Sequence, residues 1–442
     1  MKSPVHPQAT TPLMQRRFVR HSATLLMLLF FGFLTTPILR AQQPAALGES
    51  DHQLVQQLMK RIEQLEAQVK DLQAAGTPTN TSVSKPEANQ VSSETPPQGP
   101  TGMGAAAEPT GEGMDLNKTL LNIRGFSDVT LHGDNGKGDT TSFSIGQVDL
   151  FITSNVSDRL KFLSETVFEA GQDNNFGVDI ERILLTYSFN DYLNIGVGRF
   201  HSAIGYYNTA YHHSTWFQTT TGRPFLFEFE DGGGILPIHN VGATISGRLP
   251  SGSLGLHYVA EVGNGRASNS LVNPNVNAVQ NVVDENNGKS VNFEVFARPE
   301  AIPGLETGFS IYRDNLYAQN LPKIGQEIFD AFVVYAGPRF EWLNEALLIR
   351  HAPEGGHVFD TPGFYTQISR RWGLYRPYFR YQYVNVSPHE PLVSYVGLRH
   401  GPSVGLRYDI ADFAAVKLQY DYTVLRMQQA VSALALQVGF TF

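Results

Sequence analysis

The chain has 442 residues, no Cys and a formal net charge of −8. The missing Cys excludes a disulfide scaffold, thiolate metal sites and a thiol nucleophile, and the acidity argues against nucleic-acid binding, which wants a basic surface. A mean hydropathy of −0.20 is compatible with a membrane barrel, because strands that alternate apolar and polar residues average near neutral.

The first segment reads as a secretory leader over residues 1–41. Arg16, Arg17 and Arg20 form a basic start, and Ala23 to Leu34 is an apolar run of twelve. A spanning helix needs about 20 apolar residues, so the run is short for an anchor and right for the core of a signal peptide. Cleavage is expected after Ala41. The export route, general secretion or twin-arginine, is left open by the Arg pair.

After a short tail (42–50), residues 51–75 carry heptads. Val55, Ile62 and Val69 take a positions, while Leu58, Leu65 and Leu72 take d positions. Arg61 at g and Glu66 at the next e are placed to pair between chains. A lone helix of this length is marginal in water, so the seam implies association; the alternative is an amphipathic helix lying on its own barrel. Residues 76–115 hold Pro78, Pro86, Pro96, Pro97, Pro100 and Pro109 among Gly, Ser, Thr and Ala. This stretch has nothing to bury and reads as disordered linker.

From 116 to 442 the pattern changes to period two. Leu434, Leu436, Val438, Phe440 and Phe442 alternate with Ala435, Gln437, Gly439 and Thr441. The same alternation runs through Ala414 to Tyr422, Ser403 to Tyr408 and Tyr375 to Tyr383. Such strands have one apolar and one polar face, and no helical segment is available to cover the apolar one. The solution is an all-β, transmembrane antiparallel β-barrel with its apolar face to lipid and its polar face to a water-filled lumen. A soluble sandwich or solenoid is the alternative. Short turns are expected near 156–158, 190–191, 250–252, 300–304, 342–345, 371–374 and 410–412, and longer connections at 133–142, 170–177, 202–239, 263–290, 314–328, 352–361 and 386–397. Seven short turns join eight hairpins, or sixteen strands, enough to leave an aqueous channel.

Residues 121–442 resemble the bacterial sixteen-stranded outer-membrane porins, most closely the phosphate-selective porin O/P-type group. The residues that carry the resemblance are the hairpins around Tyr187 to Phe200, the turn from Ala297-Arg298-Pro299 to Phe309, the run Arg399-His400-Gly401-Pro402 and the final Gly439-Phe440-Thr441-Phe442. The resemblance implies a homotrimer of pores in the outer membrane, with the N-terminal segment in the periplasm. It also implies that Phe440 and Phe442 form a signal for the barrel-assembly machinery. The implied partners are outer-membrane lipid and small hydrophilic solutes or inorganic ions.

The connection 202–239 concentrates Tyr206, Tyr207, Tyr211, Trp216, Phe217, Phe225, Phe227 and Phe229. So many aromatics want burial, so the loop is expected to fold into the lumen as a constriction. Glu228, Glu230 and Asp231 precede Gly232, Gly233 and Gly234, whose freedom permits a tight reversal. On a sixteen-strand ring the thirteenth strand lies opposite the fifth. Arg376, Arg380, Arg407 and Lys417 therefore form a basic wall facing the loop acids, and the expectation is a transverse field that selects permeants by sign and dipole. The alternative is solvated lumen groups balanced by Asp421, Glu261 and Glu294.

From residue 116 onward there are 24 Lys plus Arg against 31 Asp plus Glu. Strict phosphate selectivity wants a dense basic path, so this balance favours passive, general or weakly selective diffusion over an anion- or phosphate-selective pore. His201, His212, His213 and His239 fall near the same loop, but adjacent His on an extended segment point apart, and no metal site is expected. An outer-membrane barrel enzyme is the rival class. His212, His213 and Ser214 form no nucleophile elbow, and Gly232 to Gly234 lack the Lys and helix of a phosphate loop. No catalytic residue and no cofactor are expected. A third reading is a structural tether reaching the cell wall through the coiled coil.

Overall fold

The computed structural model describes residues 121–442, apart from 137–139, 172–174, 212–214, 231, 268–282, 285 and 319. The leader, the coiled-coil seam from Val55 to Leu72 and the linker lie outside the described residues, as do Asp231, His212 and His213.

Sixteen strands form one closed antiparallel barrel in which every strand pairs with its chain neighbours. They are β1 (Leu121–Asp134), β2 (Ser142–Asn155), β3 (Leu160–Ala170), β4 (Phe176–Asn190), β5 (Leu193–His201), β6 (His239–Arg248), β7 (Leu256–Gly263) and β8 (Ser290–Ala297). The second half comprises β9 (Leu305–Leu316), β10 (Ile324–Ala336), β11 (Phe340–Pro353), β12 (Phe359–Arg370), β13 (Tyr375–Asn385), β14 (Leu398–Ala411), β15 (Ala414–Leu425) and β16 (Val431–Thr441). Closure leaves no free sheet edge, the condition for strands in hydrocarbon. The seam is β1 on β16, with Phe126 opposite Thr441 and Asp134 opposite Ala433. Phe442 and Gly125 exchange two backbone hydrogen bonds at 2.8 and 2.9 Å. A Cβ on Gly125 would stand 2.2 Å from the Phe442 ring, so a residue without a side chain is needed beneath the C-terminal aromatic.

The alternation places large apolar residues on the outside. Along β4, Val178, Ile180, Ile183, Leu185, Tyr187 and Phe189 are all exposed, Val178 at 65%. The spacing changes phase at a bulge. Arg182 pairs with Glu165 and Ile180 with Thr166, leaving Glu181 as the extra residue. The bulge lets two consecutive charged residues, Glu181 and Arg182, be covered together.

Two expectations need correction. No turn occurs at 342–345: Trp342 to Glu345 run inside β11, and the chain reverses at 337–339, where the Gly337 amide donates to the Phe340 carbonyl at 2.9 Å. Asn344 and Glu345 look like turn residues, but Glu345 is buried and accepts a hydrogen bond from the Tyr365 hydroxyl at 2.9 Å. The turn chemistry belongs to Gly337-Pro338. Likewise the connection expected at 314–328 shrinks to 317–323, because Asp314 and Gln326 are buried strand residues rather than loop residues.

The lumen side is also less polar than alternation suggests. Tyr312, Ile324, Ile328, Phe332, Leu343, Leu347, Ile349 and Tyr365, from β9 to β12, form one core with Ile204, Tyr207, Leu226, Phe227, Leu236 and Ile238 of the loop between β5 and β6. The wall from β9 to β12 thus holds a hydrophobic core inside the barrel.

Candidate functional site: the loop folded inside the barrel

The connection 202–238 crosses the lumen side of the barrel and touches strand after strand. Its stem is held by acceptors. The Ala203 amide donates to both Glu261 carboxylate oxygens at 3.1 and 3.0 Å, and Asn292 Nδ2 donates to the Ala203 carbonyl at 2.8 Å. A single helical turn, α1 (Gly205–Ala210), follows. The Tyr207 amide approaches Glu345 at 3.3 and 3.4 Å, and the Tyr207 hydroxyl donates to Gln218 at 3.1 Å.

The middle of the loop is held by donors. Lys417 Nζ donates to the carbonyls of Thr215 and Thr220 and, at 3.1 Å, to Gln437 Oε1; the Thr220 contact is 2.9 Å. Arg407 Nη1 donates to the carbonyls of Trp216 at 2.7 Å and Gln218 at 3.0 Å, while its Nε pairs with Asp409 at 2.6 Å. Arg380 Nη1 donates to Gly222 O at 2.9 Å and Thr220 Oγ1 at 3.2 Å. Arg376 Nη1 reaches Thr219 Oγ1 at 3.4 Å. The four residues singled out in the sequence are therefore gathered on one segment of the loop. Arg380, Arg407 and Lys417 are buried beneath it, so their charge is spent largely on backbone carbonyls.

The return limb packs by its apolar side chains. The Phe225 amide donates to Gln382 at 2.9 Å. Phe227 is fully buried, 5.6 Å from the Tyr207 ring and 6.0 Å from Tyr365. Arg223 lies over Phe229 at 4.2 Å and Tyr207 at 5.2 Å.

The loop acids sit apart from the basic segment. Glu228 is 3.7 Å from Arg399. Glu230 meets His239 Nδ1 at 3.2 Å, and the other ring nitrogen of His239 lies 2.8 Å from Glu181. Gly233, at φ +86°, makes the reversal. Its carbonyl accepts from the Tyr395 hydroxyl at 3.2 Å, and that of Gly234 accepts from Arg266 at 2.7 Å. Burial pushes the Glu228 carboxyl above its ordinary value, against the pull of Arg399 and Arg380. Burial pushes Glu230 the same way, but His239, by charge and hydrogen bonds, and Arg266 outweigh it and hold that carboxyl low. Burial also lowers Arg223 and Arg266 and pushes Tyr207 up to about 12.

Of the histidines, His201 and His239 stand edge to face at 4.9 Å, and His201 Nδ1 contacts the Asn208 carbonyl. Among the described residues no group of three or more His, Asp and Glu side chains is placed to hold a metal. The anchors that sequence reasoning missed are Asn292, Glu345, Gln382 and Gln437. Each is a polar residue at an inward strand position, and only that phase marks it. A separate cavity of about 650 Å³ near the short turns is lined by Lys161, Arg248 and His257 together with Asp158 and Asp191.

No protein-family model matches the chain, and no curated protein matches it. Solved structures do resemble it in fold. OmpF of Salmonella typhi, in complex with daunomycin, aligns at 10% identity over 73% of this chain and 97% of that one, with a TM-score of 0.51. The outer membrane channel DcaP of Acinetobacter baumannii aligns at 10% identity over 74% of this chain and 99% of that one, with a TM-score of 0.50. The anion-selective porin of Comamonas acidovorans aligns at 10% identity over 74% and 100%, also at 0.50. The chain thus has the sixteen-stranded porin fold.

Proposed function

We propose that this protein is an outer-membrane porin, a passive diffusion channel for small hydrophilic solutes and ions, narrowed by the loop 202–238. The observation that carries this reading is a closed sixteen-strand barrel with an apolar exterior and a long loop anchored within it. An exposed apolar surface this continuous would be a liability in water and is matched to acyl chains, and sixteen strands enclose more space than side chains fill. The rest of the reading follows from the sequence: a cleaved leader, a periplasmic coiled coil clasping a homotrimer, insertion by the barrel-assembly machinery through Phe440 and Phe442, and no catalysis.

The charge arrangement supports a transverse field in a modified form. Acids Glu261, Glu294, Asp330 and Glu345 lie on β7, β8, β10 and β11, and bases Arg376, Arg380, Arg407 and Lys417 on β13 to β15, with the loop between. The test is conductance of the purified protein in a planar bilayer, expected in steps and in threes for a trimer. The absence of any ionic current would refute the channel. Unchanged ion selectivity after Arg376, Arg380 and Arg407 are together replaced by Ala would refute the field.

The resemblance of the sequence to the phosphate-selective O/P-type porins suggests a second reading, an anion-selective pore. It draws on the concentration of bases, Arg376, Arg380, Arg407 and Lys417, on β13 to β15, whereas the cavity near the short turns sets Lys161 and Arg248 against Asp158 and Asp191. The sign of the reversal potential in a salt gradient decides between the two readings.

A further inference from the structure

Beneath the start of the inner loop, β8 to β11 bring together acidic side chains that have no ion-pair partner among the described residues. Glu294 on β8 and Asp330 on β10 both pair in register with Ser310 on β9 between them. Glu345 stands on β11, opposite Phe332, the next inward residue of β10. Glu294, Ser310, Asp330 and Glu345 are exposed by only 3, 1, 3 and 1%. Among the described residues no Lys, Arg or His forms an ion pair with any of the three acids.

Two observations point past a merely crowded wall. Both oxygens of Asp330, and the hydroxyl of Ser310 beside it, have no hydrogen-bond partner. Asp330 and Glu345 also converge on one spot of the loop. A Cβ built on Gly205 would lie 1.9 Å from Glu345 Oε1 and 2.7 Å from Asp330 Oδ1. Gly205 has φ +70°, and glycine alone lets the chain come this close to both carboxylates. Glu345 already serves the Tyr207 amide and the Tyr365 hydroxyl through hydrogen bonds, whereas Asp330 serves nothing. Buried carboxylates without a positive partner are strongly unfavourable, and here they abut the apolar residues Ile328, Phe332 and Leu343 of the inner core.

We propose that Asp330 and Glu345, with the Ser310 hydroxyl, bind a hard divalent cation, of the magnesium or calcium type, at the foot of the constriction loop. The donor set is all oxygen, as these ions require. It stops at two carboxylates and a hydroxyl, so the ion keeps part of its water shell, and Glu294 contributes charge from the next strand but one. The ion neutralises the pair, which lets the stem at Gly205 to Tyr207 rest on this wall.

The test uses the full barrel refolded into detergent with EDTA, then supplied with Mg²⁺ or Ca²⁺. Wild-type protein should melt at a higher temperature with either cation than with EDTA. Asp330→Asn, which removes one charge without changing shape, should melt at the same temperature in both and above the wild type in EDTA. Asp360→Asn, at a surface pair with Arg350, should behave as wild type. Terbium supplies a second readout: Tyr365 beside Glu345 should sensitise its emission in wild type, and Asp330→Asn should lose it. A wild-type melting temperature indifferent to EDTA and cations would overturn the proposal and leave a shared proton as the neutralising species. A cation response that Asp330→Asn retains would overturn it as well, by placing the ion elsewhere.

Discussion

Lys417 bears most directly on how the constriction is held. Its ammonium donates to three oxygens, the carbonyls of Thr215 and Thr220 in the loop and the side chain of Gln437 in the wall, and the residue is fully covered. Lys417→Met keeps the length and most of the volume but removes every donor. Each buried acceptor left unpaired costs about 1–3 kcal/mol, so even the low end for three amounts to ~3 kcal/mol, a factor of roughly 150 in the docking equilibrium of this segment. The barrel itself retains its ladders, so the loss falls on the loop. Single-channel recording should then show the steady level of the parent replaced by fluctuation among several levels, with higher mean conductance. Chymotrypsin should also reach the loop aromatics faster. A variant with the parent's single level and the parent's protease resistance would refute the claim that this lysine acts as a clamp.

Phe227→Ala removes a fully buried ring from the core between loop and wall. It should weaken loop docking by about 3–5 kcal/mol, read as a lower melting temperature and faster chymotryptic cleavage. Gly205→Ala forces a left-handed backbone on a side-chain-bearing residue, at about 1–2 kcal/mol, and drives its methyl onto Glu345; thermal melting should show a loss exceeding the backbone cost alone. At the loop tip, Glu230 is held below its ordinary value of 4.5. Its stabilisation is therefore present above that value and disappears as pH falls through the depressed one. Glu228, raised by burial, has the opposite slope, favouring docking at low pH and losing that contribution as pH rises. An acid titration of protease sensitivity should show loop release in the parent, and Glu230→Gln should lack that acid-side change. Deleting Phe442 removes two backbone hydrogen bonds at the seam, worth about 0.5–1.5 kcal/mol each. The truncated barrel should still refold in detergent, while its yield in the outer membrane of cells falls sharply.

Legibility differed between the barrel and its contents. Period-two alternation and the spacing of turns were enough for sixteen antiparallel strands, because a strand with one apolar face has only two places to put it and closure settles which. Single turns were less secure. Asn344 and Glu345 are polar for reasons on the neighbouring strand β12, at Thr366 and Tyr365, which local pattern cannot reveal, and Gly337-Pro338 was the better signal. The aromatic richness of residues 206–229 marked a loop that had to be buried, and the basic residues of β13 to β15 were recognisable as inward-facing.

What they face depended on three dimensions. Alternation assigns a side chain to the lumen but says nothing about what else occupies that space. Only the folded chain brings the carbonyls of 215–222 over Arg380, Arg407 and Lys417, sends Glu228 and Glu230 to Arg399 and His239, and covers the wall from β9 to β12 with an apolar core. Strand periodicity is a local property of the backbone and can be read from residue to residue. The loop carbonyls that Arg380, Arg407 and Lys417 hold are 158 to 202 residues away from them in the chain, and packing alone selects them.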